Sequence, residues 1–143
     1  MTPTEPAKST VSKIIKKAKN SLSGAKHLFN EGHFDFAASR AYYAVFYALV
    51  SVLSTKDLQF KKHSSVIGSF NKHFIRTGIF PQNLSKQINR LFQERTEADY
   101  DWDAIIEKND ARQDIKTAEE IVSQIIEYLT RNGFIKSSGE NIS

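Results

Sequence analysis

Between positions 37 and 53 this chain carries one strongly polar side chain, Arg40, and two small polar ones, Ser39 and Ser51. Every other position in the stretch is Ala, Val, Leu, Phe or Tyr, with neither proline nor glycine to break a helix. A helix that is apolar on nearly every side must be enclosed by other helices or by a subunit interface. The stretch therefore fixes a central helix, at about 34–54, and asks the rest of the chain to build walls around it.

The walls are readable from periodicity. Val11, Ile14, Ile15, Ala18, Leu22, Ala25 and Phe29 recur at three- and four-residue intervals and predict a first helix at about 9–30. Gly32 ends it. A polar loop at 55–62 leads to a third helix at about 63–76, apolar at Val66, Ile67, Phe70 and Phe74 and stopped by Gly78. After Pro81 a fourth helix, about 83–99, packs through Leu84, Ile88, Leu91 and Phe92, with Asn83 or Ser85 as its cap. An acidic, aromatic connector precedes a fifth helix at about 110–131, whose apolar face holds Ile115, Ala118, Ile121, Val122, Ile125 and Leu129. Almost nothing alternates with strand periodicity. The expected fold is all-α, an up-and-down bundle of four to five antiparallel helices over 9–131, with a flexible N-terminus at 1–8 and a flexible tail at 132–143.

A length of 143 residues suits one domain of this kind. The chain lacks cysteine, which excludes disulfides, thiolate ligands and thiol nucleophiles. Its formal charge of +4 permits phosphate as a partner without requiring it. No uncharged apolar run reaches a membrane span and residues 1–8 do not resemble a signal peptide, so a cytoplasmic protein without a membrane partner is expected.

Three segments resemble the HEPN superfamily, in particular its small stand-alone prokaryotic branch. The run AASRAYYAVFYA at 37–48 is similar to that branch's RAYYAxFYA helix, KKHSSV at 61–66 to its K-x-H-S segment, and RTEADY at 95–100 to its R-x-x-A-D-Y helix end. The resemblance implies a HEPN-like bundle that forms a homodimer through its central helices. It also implies a toxin–antitoxin-like pair with a small nucleotidyltransferase partner, and association with RNA or a nucleotide. Many relatives are metal-independent ribonucleases in which an Arg is followed four to six residues later by His. Here no His follows Arg40, Arg76, Arg90, Arg95, Arg112 or Arg131 at that spacing, and Arg95 is followed instead by Asp99 and Tyr100.

On this reading Arg95 holds phosphate, with His63 and Tyr100 as the other catalytic candidates and Arg40, Tyr43, Tyr47, Asp99 and Lys62 as RNA or nucleotide contacts. Each has a plainer alternative. Arg95 and Asp99, four apart, make an intrahelical ion pair worth about 0.3–0.5 kcal/mol, and Arg90 with Glu94 makes another. His63 reads equally as a helix-start residue bonded to backbone. Tyr43 and Tyr47 share a face, either packed in the core or beside Arg95 in a cleft, while Tyr42 points about 100° away. Arg40 needs a carboxylate, such as Asp99, or a phosphate. Lys61, Lys62, His63, Lys72, His73 and Arg76 form a basic tract that is either a solvated face or an RNA track. Tyr100 is also a candidate acceptor of a nucleotidyl group. No cofactor is called for. Asp99, Asp101 and Asp103 do not make a calcium loop, because Ala104 and Asp110 stand where glycine and glutamate are needed. The alternative to an RNA-associated protein is a non-catalytic helical module that binds and regulates a partner enzyme.

Overall fold

The computed structural model describes residues 2–58 and 62–136, so Lys61 and positions 137–143 lie outside the described residues. The described chain is a bundle of five α-helices, with no strand among the described residues. They are α1 (Glu5–Asn30), α2 (Phe34–Ser54), α3 (His63–Phe70), α4 (Gln82–Tyr100) and α5 (Lys108–Arg131).

Helix α2 occupies the bounds its composition demanded, and it touches all four other helices. Ala37, Ala41, Ala44, Val45, Ala48, Leu49, Val52 and Leu53 are buried against them. Enclosing a Val or Leu of this kind contributes about 1.5–3 kcal/mol each. Its length and composition would reach across a bilayer, but α1 and α5 cover it instead. Both helices bury small residues, Ala18, Ser21 and Ala25 on α1 and Ala37, Ala41, Ala44 and Ala48 on α2. Ser21 Oγ donates to the Arg40 carbonyl at 2.7 Å, tying the two backbones directly.

Several local details differ from expectation. Helix α1 starts at Glu5, four residues early, because Thr4 Oγ1 accepts from the Ala7 N–H at 3.2 Å and Pro6 sits in the first turn, where its missing N–H costs nothing. The predicted third helix is two pieces: α3 continues into a π-helical turn at Asn71–Ile75. Neither Asn83 nor Ser85 caps α4. Pro81 holds the cap position, and Ser85 Oγ reaches across to Asn71 Oδ1 at 2.8 Å, holding α4 to that π turn. Residues 132–136 fold back, with Gly133 at φ +81° and Phe134 and Ile135 packed on the core.

Candidate functional site

The amphipathic edge of α2 supplies the floor of the site. Tyr42 is buried, while Tyr43, Phe46 and Tyr47 on the same helix are half-buried. His63, the first residue of α3, is laid across them by the helix start: its ring stacks on Phe46 with centroids 4.0 Å apart and meets the edge of Tyr43 at 5.6 Å. Nδ1 of His63 lies 2.9 Å from Tyr42 Oη. Phe92 of α4 closes the other side of Tyr42, at 6.3 Å between rings.

The C-terminal half of α4 brings the charges. Arg95 Nη2 lies 3.0 Å from Asp99 Oδ1 and 3.7 Å from Asp35 Oδ1 at the start of α2. The arginine side chain is only 11% exposed, so its guanidinium is both enclosed and matched by two carboxylates. Asp99 also acts on the aromatic floor, since its charge helps to raise the Tyr42 pKa and opposes the lowering of His63. Burial is the largest influence on both. It lifts the Tyr42 hydroxyl well above its ordinary value, with Tyr43 and then Asp99 adding to it, and it lowers His63.

Asp99 links the two groups: it pairs with Arg95, and its charge acts on His63, which lies against the aromatic rings of α2. The remaining candidates take other partners or stand exposed. Tyr43 sits beside His63, and the cation on its face is Arg40, 4.9 Å from the ring centroid. Arg40 therefore does not form the expected bridge to Asp99, whose carboxylate is taken by Arg95. Tyr47 packs against Tyr43 and lies under Lys17, whose Nζ is 5.8 Å from its centroid. Tyr100 follows Asp99 but stands 84% exposed, and Lys62 is exposed beside His63. In the basic tract, Lys72 and Arg76 are solvated and His73 is half-buried.

Sequence reasoning missed Tyr42 and Asp35. Tyr42 points about 100° away from Tyr43 and Tyr47 along the helix, yet its hydroxyl is the one that meets His63 Nδ1. Asp35 had no signal, because its partner Arg95 is remote in the chain. The supposed Arg90–Glu94 pair is a correction as well. Arg90 Nη1 reaches the fully buried Asp114 of α5 at 3.0 Å, and its Nη2 lies 3.4 Å from Thr117 Oγ1. Burial and a hydrogen bond with Asp114 push the Glu94 carboxyl from an ordinary 4.5 up to about 8. Asp114 Oδ2 is buried without a geometric hydrogen-bond partner among the described residues, and a carboxyl that keeps its proton is the kind of donor such an oxygen calls for.

Residues 11–129 match the HEPN domain family. The chain is 34% identical over 134 residues to a "Putative toxin" of Methanocaldococcus jannaschii, covering 94% of this chain and 91% of that one. A second "Putative toxin" of that organism is 36% identical over 112 residues, covering 78% and 83%. A "UPF0332 protein" of Thermotoga maritima is 34% identical over 119 residues, covering 81% and 90%.

Proposed function

Because the chain belongs to the HEPN domain family, we propose that it is a toxin-like HEPN protein that associates with RNA or a nucleotide through a phosphate held by Arg95. It acts as a homodimer, paired with a small nucleotidyltransferase that restrains it. The observation that supports this reading is Asp99, which pairs with the enclosed Arg95 guanidinium and acts electrostatically on His63, an imidazole lying among aromatic rings on which a base can stack. The printed names of two relatives support the toxin-like role. Arg95 has to exchange Asp35 or Asp99 for the phosphate, so binding is set by competition between carboxylate and phosphate oxygens.

A specific observation favours the second reading, a non-catalytic module that regulates a partner enzyme. Tyr100, Trp102 and Ile105 are exposed within six residues of sequence, and Phe36 is exposed at the start of α2, more apolar surface than an isolated chain requires. The deciding experiment incubates purified protein with RNA and measures binding and cleavage, alongside Arg95→Ala and His63→Ala. The RNA-associated reading expects wild type to bind and Arg95→Ala to lose at least tenfold in affinity. Equal binding by all three chains overturns it in favour of the partner-binding module, which co-expression with a neighbouring nucleotidyltransferase gene then tests directly.

A further inference from the structure

We propose that Tyr42 is a positioning residue for His63: its hydroxyl occupies Nδ1 and leaves a protonated Nε2 as the one ring nitrogen an incoming phosphate oxygen can meet. This rests on the phosphate-holding role of Arg95 given above, and it assigns the imidazole the part of a neutral hydrogen-bond donor.

Tyr42 is 4% exposed and belongs to the buried helix α2, so its hydroxyl has little freedom to find another partner. It lies 2.9 Å from His63 Nδ1. The imidazole is clamped on its faces as well. Phe46 stacks at 4.0 Å with 28° between planes, the Tyr42 ring lies at 5.7 Å and 30°, and Tyr43 abuts from the side at 5.6 Å and 83°. Turning the ring over would set a carbon against the Tyr42 hydroxyl and strand a buried O–H, which the enclosed site disfavours.

The direction of that hydrogen bond follows from the groups around it. Tyr42 and Tyr43 face the ring from α2, and Asp99 acts on it from α4. Burial, Tyr43 and Asp99 all oppose ionisation of the Tyr42 phenol, so it keeps its proton. A phenol can donate or accept, but Nδ1 is the one hydrogen-bond partner of Tyr42 Oη among the described residues, so accepting from the ring would leave the buried O–H unpaired, and the hydroxyl donates. Nδ1 must then be the acceptor, and in a neutral imidazole the proton is on Nε2. Burial keeps the ring neutral near pH 7 against the pull of Asp99. A neutral ring in this tautomer donates from Nε2 but has no free lone pair there, so it can grip a phosphate oxygen and cannot take a proton from a ribose hydroxyl. The arrangement suits binding better than base catalysis.

The test is long-range ¹H–¹⁵N correlation spectroscopy of the full chain, wild type and Tyr42→Phe, across pH 5–9, with anisotropy of a short labelled RNA on the same samples. Wild-type His63 should show an unprotonated, accepting Nδ1 and a protonated Nε2. Tyr42→Phe keeps the ring and removes only the donor, so it should mix the tautomers, raise the His63 titration midpoint and weaken RNA binding by about threefold to tenfold. A wild-type His63 protonated on Nδ1, or spectra unchanged in Tyr42→Phe, would overturn the assignment even if that variant bound RNA poorly. The predicted spectra with no RNA binding by wild type would uphold Tyr42 as the orienting group and reject the phosphate-holding role.

Discussion

Arg95 grips Asp99 twice, with Nε at 3.1 Å and Nη2 at 3.0 Å from the same carboxylate oxygen. The pair is more than a helical i,i+4 contact, because Asp35 of α2 approaches the same guanidinium and the arginine is almost wholly enclosed. The resting chain therefore holds the guanidinium proposed to bind phosphate against two carboxylates.

Removing one of them should strengthen anion binding. Asp99→Asn keeps the shape and abolishes a negative charge beside the phosphate position. A like charge a few ångströms away costs about 1 kcal/mol in water-like surroundings, so RNA affinity should rise roughly fivefold. Anisotropy titration checks this, and an unchanged or lower affinity would mean that Asp99 does not compete with the ligand.

Arg90 secures a buried charge on α5. Arg90→Ala leaves Asp114 enclosed with Thr117 and Glu94 but no cation, and should cost about 2–3 kcal/mol in urea unfolding. Adding Asp114→Asn should restore part of that loss, since the stranded charge is then gone.

Glu94 gives the fold a pH dependence of defined sign. In the unfolded chain its carboxyl releases its proton near 4.5, whereas in the bundle it does so at about 8. Between those values the folded state holds the extra proton, so this group lowers stability as pH rises from about 4.5 through 8. Glu94→Gln removes the effect. Its gain at pH 8.5 should be about 1–2 kcal/mol after allowing for solvent screening at a half-exposed group, and it should shrink towards zero at pH 4.5 or below. Melting curves at the two pH values measure the difference.

Trp102 is 96% exposed and Phe36 is also outside the core. Replacing either with Ser should leave the isolated bundle within about 0.5 kcal/mol of wild type. If these side chains form the homodimer contact, each change should raise the dimer dissociation constant at least tenfold in sedimentation velocity experiments.

The sequence disclosed the central helix to the residue because its two ends carry unmistakable breaks: Gly32 before it and a polar loop after Ser54. It was less clear wherever a residue's partner lies far along the chain. The apolar periodicity begins at Val11 and so set the start of α1 late, although the Thr4 cap and the first-turn Pro6 open the helix at Glu5. Spacing pairs Arg90 with Glu94 because it sees only one helix, whereas the buried partner Asp114 lies on α5. Arg95, Asp99 and His63 were legible as candidates through their motifs. The action of Asp99 on His63 was not, because it depends on where α3 lands on α2. For the same reason the contact of Tyr42 with His63 was not legible, although the direction of its side chain along the helix was.

The buried alanines and Ser21 of α1 and α2 have a kinetic consequence. Their side chains have almost no rotamer freedom to lose, and the two helices pack together across a three-residue turn. Such a hairpin can assemble before any distant segment arrives, giving the remaining helices a template on which to condense. Ala41→Gly should then slow refolding in stopped-flow experiments, whereas Ile121→Val on the late-arriving α5 should act mainly by hastening unfolding.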